Sequence, residues 1–202
     1  MQSRFFFRLL LCAAWLFAAA GGVAWMCQYE HTAGNAETTP RHWPSTTAIT
    51  LDETRDTLIL FAHPKCPCTR ATLEELDRIL AQSRNKIAAF VLFLQPDEFA
   101  EAWADSDLRK KAAAIPNVTV LNDFHGALAK TFGAKTSGQV VLYSPRGELL
   151  FSGGITESRG HAGRNAAELA LISRVEREQS SRAETPVYGC SLVDSLCRRA
   201  AP

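Results

Sequence analysis

Thr57-Leu58-Ile59-Leu60-Phe61-Ala62 runs directly into His63-Pro64-Lys65-Cys66-Pro67-Cys68-Thr69-Arg70, and the architecture is decided by this stretch. The first six residues form a short continuous apolar run, the pattern of a strand buried on both faces. Pro64 and Pro67 shape residues 63–68 into a turn. From Thr69 to Ser83, Leu73, Leu76, Ile79 and Leu80 recur at helical spacing, with Glu74, Glu75, Asp77 and Arg78 on the opposite face. Pro67 has the backbone angle suited to a first helical position. Cys66 then falls near the N-cap, beside unpaired N–H groups and the positive end of the helix dipole. Lys65, Arg70 and His63 add positive charge. These features favour thiolate over thiol, the form that redox exchange and metal binding both require. Core packing explains two cysteines separated by one proline at a charged turn poorly.

Outward from this unit the pattern alternates. Ile87–Leu94 reads as a second buried strand. Pro96–Ala114 is helical or loop-rich, with Trp103 and a charged stretch from Asp105 to Lys111. Val118–Leu121 is a short strand ended by Asn122-Asp123, and Phe124–Phe132 a short helix closed by Gly133. Val140–Tyr143 and Glu148–Phe151 flank Ser144-Pro145-Arg146-Gly147, a hairpin with the appropriate turn residues. Asn165–Glu178 forms a last helix, with Ala166, Leu169, Ile172 and Val175 on one face. The order β-α-β-α-β-α-β-β-α predicts an α/β fold. Its central sheet has parallel strands plus a C-terminal antiparallel hairpin, and helices flank it.

The N-terminus differs in kind. No charge occurs from Leu9 to Cys27, 19 residues. As a helix this run is roughly 28 Å long, close to a hydrocarbon core of about 30 Å. Arg4 and Arg8 precede it and Glu30 follows, so the positive-inside rule keeps the N-terminus in the cytoplasm and exports the rest. Residues 1–27 are therefore expected to be a transmembrane signal anchor. The competing reading is a signal peptide cleaved after the small residues Ala18-Ala19-Ala20, which would release the remainder to the periplasm. Residues 28–47, where Gly34, Asn35, Pro40, Pro44, Ser45 and the Thr38-Thr39 and Thr46-Thr47 pairs break any periodicity, are expected to be a linker. Residues 48–180 form the folded domain, and 181–202 a Cys-containing tail.

The chain has 202 residues, a net charge of +1 and 47% hydrophobic residues. The apolar excess sits largely in the anchor. A balanced charge offers no electrostatic footprint for nucleic acid. Of the six cysteines, Cys12 and Cys27 belong to the apolar segment. Cys66, Cys68, Cys190 and Cys197 are exported, an even number that permits disulfides without saying which residues pair. Cys-x-x-Cys-His, the haem-attachment motif, is absent.

Residues 48–180 resemble the thioredoxin-like superfamily, in which a redox cysteine caps the first long helix after a central strand. More narrowly, several segments resemble bacterial membrane-anchored RedB-type proteins: Phe61–Pro64 into Cys66–Ala71, Phe151–Thr156, Arg159–Gly163 and Thr185–Cys190. The resemblance implies Cys66 as nucleophile, with Cys68 or Cys190 resolving the mixed disulfide. Thr69 stands where the usual second cysteine would be. The position of the superfamily's cis-proline, which helps bind substrate chains and discourages metal, falls on Gly138. With Gln139, His63 and Pro67, Gly138 would line a groove for a protein thiol or disulfide partner.

No cofactor is required by this reading, and the partners are protein thiols and disulfides reached from the inner membrane. A Cys66–Cys68 disulfide would close a small strained ring, relatively oxidising and easily reduced. The superfamily's copper-delivery branch suggests an alternative, in which Cys66, Cys68 and His161 bind copper or zinc for a metalloprotein client. A thiol peroxidase is a third reading, loosely matched by Thr69 and Arg70, and a non-catalytic scaffold a fourth. Cys190 and Cys197 could pair locally. His31, His42 and His125 are expected at the surface.

Overall fold

The computed structural model describes residues 2–96, 106–177 and 183–192. Two compact units divide the chain, Met1–Thr32 and Ala33–Pro202. The first holds helix α1 (Gln2–Glu30). Its stretch Arg4–Glu30, with mean hydropathy 1.9 in its apolar window, is long and apolar enough to cross a membrane.

The second unit is built on strands β1 (Asp56–Ala62), β2 (Ile87–Gln95), β3 (Val118–Phe124), β4 (Gln139–Tyr143) and β5 (Leu149–Gly153). Helices α2 (Cys68–Gln82), α3 (Asp107–Ala113), α4 (Ala127–Thr131) and α5 (Ala166–Val175) flank them. The five-stranded sheet has the order β3-β2-β1-β4-β5. β1, β2 and β3 run parallel, and β4 and β5 return antiparallel. This is the expected thioredoxin-like sheet.

Strand alternation explains the continuous apolar run of β1. Leu58, Leu60 and Ala62 face the cluster formed with Leu73, Leu76 and Ile79 of α2 and Leu171 and Val175 of α5. Ile59 and Phe61 face the opposite cluster, with Phe132, Val141 and Tyr143. The β4–β5 hairpin turns where expected, Gly147 N–H donating to the Ser144 carbonyl (2.8 Å).

Several expectations move. β3 does not stop at Asn122-Asp123 but runs to Phe124. Asp123 instead turns its carboxylate to the N–H groups of Leu128 and Ala129 (2.8 and 2.9 Å), capping α4 from within the strand. The chain reverses at His125-Gly126, both with positive φ. Of Pro96–Ala114, α3 supplies the helical part behind its N-cap Ser106. Trp103 and Asp105 lie outside the described residues, as does Cys197.

The expected linker is also corrected from residue 33 onward. The Tyr143 hydroxyl donates to the Pro40 carbonyl (2.7 Å), the Thr39 and Ser152 hydroxyls are bonded (2.6 Å), and Leu149 N–H donates to Arg41 O (2.9 Å). Trp43 packs edge-on against Phe132 and Tyr143. Partly burying an indole against the core and pairing backbone groups outweighs the turn-rich composition on which a linker was expected.

α5 begins at Asn165, as its sequence implied. The Asn165 Oδ1 accepts from Ala167 and Glu168 N–H (both 2.9 Å), and its Nδ2 donates to Ile155 O (3.0 Å) and Gly163 O (2.9 Å). Asn165→Ala loses the cap and orphans a buried carbonyl. The expected cost is about 2 kcal/mol, measured by chemical denaturation at an unchanged m-value.

Candidate functional site

The C-terminal end of β1, the N-terminal end of β4 and the C-terminal end of β5 meet at one edge of the sheet, because β4 runs opposite to β1 and β5 opposite to β4. Four segments converge there: the His63–Pro67 turn, the loop preceding Gln139, the loop from Gly154 to Arg164, and residues 183–192.

Cys66 lies at the start of α2, one residue earlier relative to the helix than the sequence suggested. Pro67, at φ −63° and ψ −29°, is the N-cap. The first turn is tight: Thr69 N–H donates to Cys66 O (3.1 Å) and Arg70 N–H to Pro67 O (3.3 Å). Cys66 is buried, 0% exposed, whereas Cys68 and Cys190 are partly exposed. The Cys66 sulfur accepts hydrogen bonds from the Cys190 and Cys68 thiols, from the Cys190 backbone N–H and from the Thr69 hydroxyl. Those donors hold its pKa far below the ordinary thiol value, against the opposing effect of burial. The same contacts with the Cys66 sulfur, reinforced by burial, push Cys68 and Cys190 up. Within the cluster the thiolate form is therefore favoured on Cys66 and the thiol form on Cys68 and Cys190. Lys65 and Arg70 are exposed, and the thiolate is held chiefly by the two neighbouring thiols.

A chain of donors backs the thiolate. His63 N–H donates to the Ser137 hydroxyl (2.8 Å), and the Ser137 and Thr69 hydroxyls are bonded (2.9 Å). The His63 ring is buried and its Nδ1 accepts from Lys65 N–H (3.2 Å). Burial lowers its pKa, opposed by the Cys66 charge, so the imidazole is neutral at neutral pH.

Gly138, at the expected cis-proline position, has a trans peptide and φ +94°. Its N–H donates to Phe61 O (2.8 Å), and a Cβ there would lie 3.1 Å from the Thr72 hydroxyl. Left-handed backbone beside a helix suits glycine. Gln139 is buried and alternates with Val141 and Tyr143, so its side chain enters the α4-side layer and offers no groove surface. Pro67 is exposed beside the cysteines.

Residues 183–192 deliver Cys190. Thr185 N–H donates to Ser152 O (3.2 Å), Ser137 N–H to Cys190 O (2.8 Å) and Leu192 N–H to Lys135 O (2.8 Å). Val187 and Leu192 are buried on either side of the cysteine. Gly189 passes so close to the Ser137 carbonyl that a Cβ would sit 1.9 Å from it.

Arg159 was overlooked in the sequence, although it begins the Arg159–Gly163 motif. Its Nη1 donates to Gly189 O (2.5 Å), and its guanidinium hydrogen-bonds the Cys68 sulfur and favours thiolate at Cys68 and Cys190. The available signal was its place as the cation opening a glycine-rich loop. Glu75, buried on α2, anchors this loop by accepting from Gly163 N–H (2.5 Å). His161, the expected ligand, is exposed and folds back on its own loop. Its Nδ1 lies 2.9 Å from both the Ser158 hydroxyl and the Arg159 carbonyl. Among the described residues no group of three or more His, Cys, Asp or Glu is arranged to hold a metal ion, so Cys66, Cys68 and His161 are not brought together as a ligand set. His31, His42 and His125 are exposed, as expected.

No family model matches the chain, and no curated protein matches it. Among solved structures it is similar to an uncharacterized conserved protein from Geobacillus kaustophilus (TM-score 0.57, 18% identity, covering 80% of this chain and 92% of that one). A hypothetical protein from Sinorhizobium meliloti is comparable (TM-score 0.56, 16% identity, 80% and 94%). A secreted Mycobacterium tuberculosis disulfide oxidoreductase homologous to E. coli DsbE is a weaker match (TM-score 0.45, 17% identity, 63% and 84%). At these identities the likeness concerns the fold alone, and the chain shares the mixed five-stranded, helix-flanked fold of the first two structures.

Proposed function

We propose that this protein carries out thiol–disulfide exchange with protein thiols and disulfides on the exported side of a bacterial inner membrane, with α1 as its single-pass anchor. The observation that carries the reading is the Cys66 thiolate, buried at the start of α2 and hydrogen-bonded by two further cysteine thiols. A stabilised thiolate touching a second thiol is the constellation from which a reversible disulfide forms. The segments behind the RedB-type resemblance support the assignment, because the Cys66–Cys68, Arg159 and Cys190 portions all meet at this one site. The copper or zinc reading has no specific observation in its favour, since His161 is engaged within its own loop.

Intact-mass analysis of the full-length protein after alkylation tests the proposal. Equilibration in an oxidising glutathione buffer is expected to remove two alkylation sites, one of them Cys66, and reducing buffer to restore both. A Cys66 that stays alkylatable throughout would refute it.

A further inference from the structure

Three cysteines in one cluster leave two questions: which pair forms the working disulfide, and which sulfur a partner meets. Cys66 and Cys68 are in contact, but only Pro67 separates them, and its helical dihedrals belong to the hydrogen-bonded first turn of α2. A disulfide across one residue closes a small ring whose geometry departs from the relaxed one and strains that turn. Cys190 comes from a different element. Its backbone is pinned by the Ser137 N–H and its segment by the Leu192 N–H, an antiparallel bridge joins Thr136 to Ser191, and both its thiol and its N–H already point at the Cys66 sulfur. No small ring is closed by pairing it.

Access differs as sharply. Cys66 is 0% exposed, beneath a segment anchored by buried Val187 and Leu192. Cys190 is partly exposed. In thiol–disulfide exchange the attacked sulfur must be reachable, and the leaving sulfur should be the better-stabilised thiolate. The two requirements fall on different residues here: Cys190 is reachable, and Cys66 leaves well.

Resting on the thiol–disulfide reading above, we propose that the working disulfide is Cys66–Cys190 and that a partner dithiol attacks it at Cys190, so that this protein is the oxidant. A partner thiolate forms a bond to the Cys190 sulfur, the Cys66–Cys190 bond breaks, and Cys66 departs as thiolate without needing a proton. The partner's second thiol, as thiolate, then attacks its own sulfur in the mixed disulfide. The partner disulfide forms, and Cys190 leaves and takes up the proton that the second thiol gave up. Two electrons pass from partner to protein, and the proton of the first partner thiol is released to solvent. A disulfide-bearing oxidant reverses the change to regenerate the Cys66–Cys190 bond. Arg159 is a positioning residue here, its guanidinium tying Gly189 beside Cys68.

The test uses full-length protein carrying Cys197→Ser, so that the tryptic peptide spanning residue 190 holds a single cysteine. After oxidation with glutathione disulfide, non-reducing mapping with fragmentation of the Cys66–Arg70 peptide, which also holds Cys68, is expected to show Cys66 itself joined to the Cys190 peptide. A Cys66–Cys68 link overturns this proposal and leaves thiol–disulfide exchange standing, whereas no Cys66 disulfide of any kind overturns both. The oxidised protein is then mixed with reduced glutathione as probe and quenched with a maleimide along a time course. The glutathione adduct should favour Cys190 over Cys66 by at least tenfold. An adduct chiefly on Cys66, shared evenly, or found on neither cysteine overturns the assignment of Cys190 as the attacked sulfur. Arg159→Gln should slow formation of the Cys66–Cys190 bond several-fold while leaving the thermal midpoint within a few degrees. An unchanged rate removes Arg159 from the positioning role.

Discussion

Replacing Cys66 by Ser is expected to reduce exchange with glutathione to background, a loss on the order of 10³-fold or more, because a hydroxyl is not ionised at neutral pH and cannot form the disulfide. The same variant carries a pH signature. The Cys66 thiolate is held below the ordinary thiol value by donors from Cys190, Cys68 and Thr69. A group whose folded pKa is depressed contributes stability above its unfolded pKa, and that contribution is lost as pH falls toward the folded value. Across the neutral range the unfolded thiol keeps a proton that the folded protein has lost. The reduced wild type should therefore gain stability over Cys66→Ser by about 1.4 kcal/mol for each unit of rising pH. Urea titrations of both proteins at several pH values between about 7 and 8 measure the difference, which a normal thiol would leave flat. His63 gives a slope of the same sign in both proteins, since burial lowers its pKa and acid must charge it; without the opposing Cys66 charge it is lowered further in Cys66→Ser, so the comparison is read at and above neutral pH, where the imidazole is neutral in both.

Phe132→Ala is the second large effect, this one on stability. Phe132 is fully buried between the sheet and the N-terminal segment of the domain. Its ring centroid lies 5.3 Å from that of Trp43 and 5.9 Å from those of Phe61 and Tyr143. Truncation leaves a cavity among three aromatic rings and is expected to cost about 3–5 kcal/mol. For a domain of this size the thermal midpoint should fall by roughly 6–20 °C. Trp43 loses one face of its seat, so Trp fluorescence should report loosening of residues 33–47 below the global transition. A fall of only a degree or two would mean that the segment contributes little to the fold.

Much of the architecture was legible because its causes are local. The apolar run Thr57–Ala62 had to be buried on both sides, and the spacing Leu73, Leu76, Ile79 had to make a helix facing it. Asn165 and the Ser144–Gly147 turn announced themselves by their hydrogen-bonding chemistry. The exceptions were residues whose side chains act away from their own element. Asp123 reads as a strand breaker, yet it stays in the strand and caps α4. Trp43 sits among turn residues and packs, partly buried, against the core. His161 and Arg159 are two residues apart in one loop, and the resemblance to the copper-delivery branch pointed to the histidine as a ligand. The packing of that loop against Glu75 turns the arginine toward the cysteines and leaves the histidine outside.

Taken alone, the sequence determined that a buried strand leads into a cysteine at a helix start, with prolines shaping the turn. Such features depend on a few consecutive residues, so no distant partner is needed to see them. Tertiary structure alone decided that Cys190 lies on Cys66, that the thiolate is buried beneath it, and that Arg159 ties the approaching segment down. The reason is physical. Cys190 is positioned by backbone bonds to Lys135 and Ser137 and by the close pass of Gly189 over the Ser137 carbonyl. Backbone groups are the same in every residue, so a contact made through them leaves little trace in the sequence until the chain is folded.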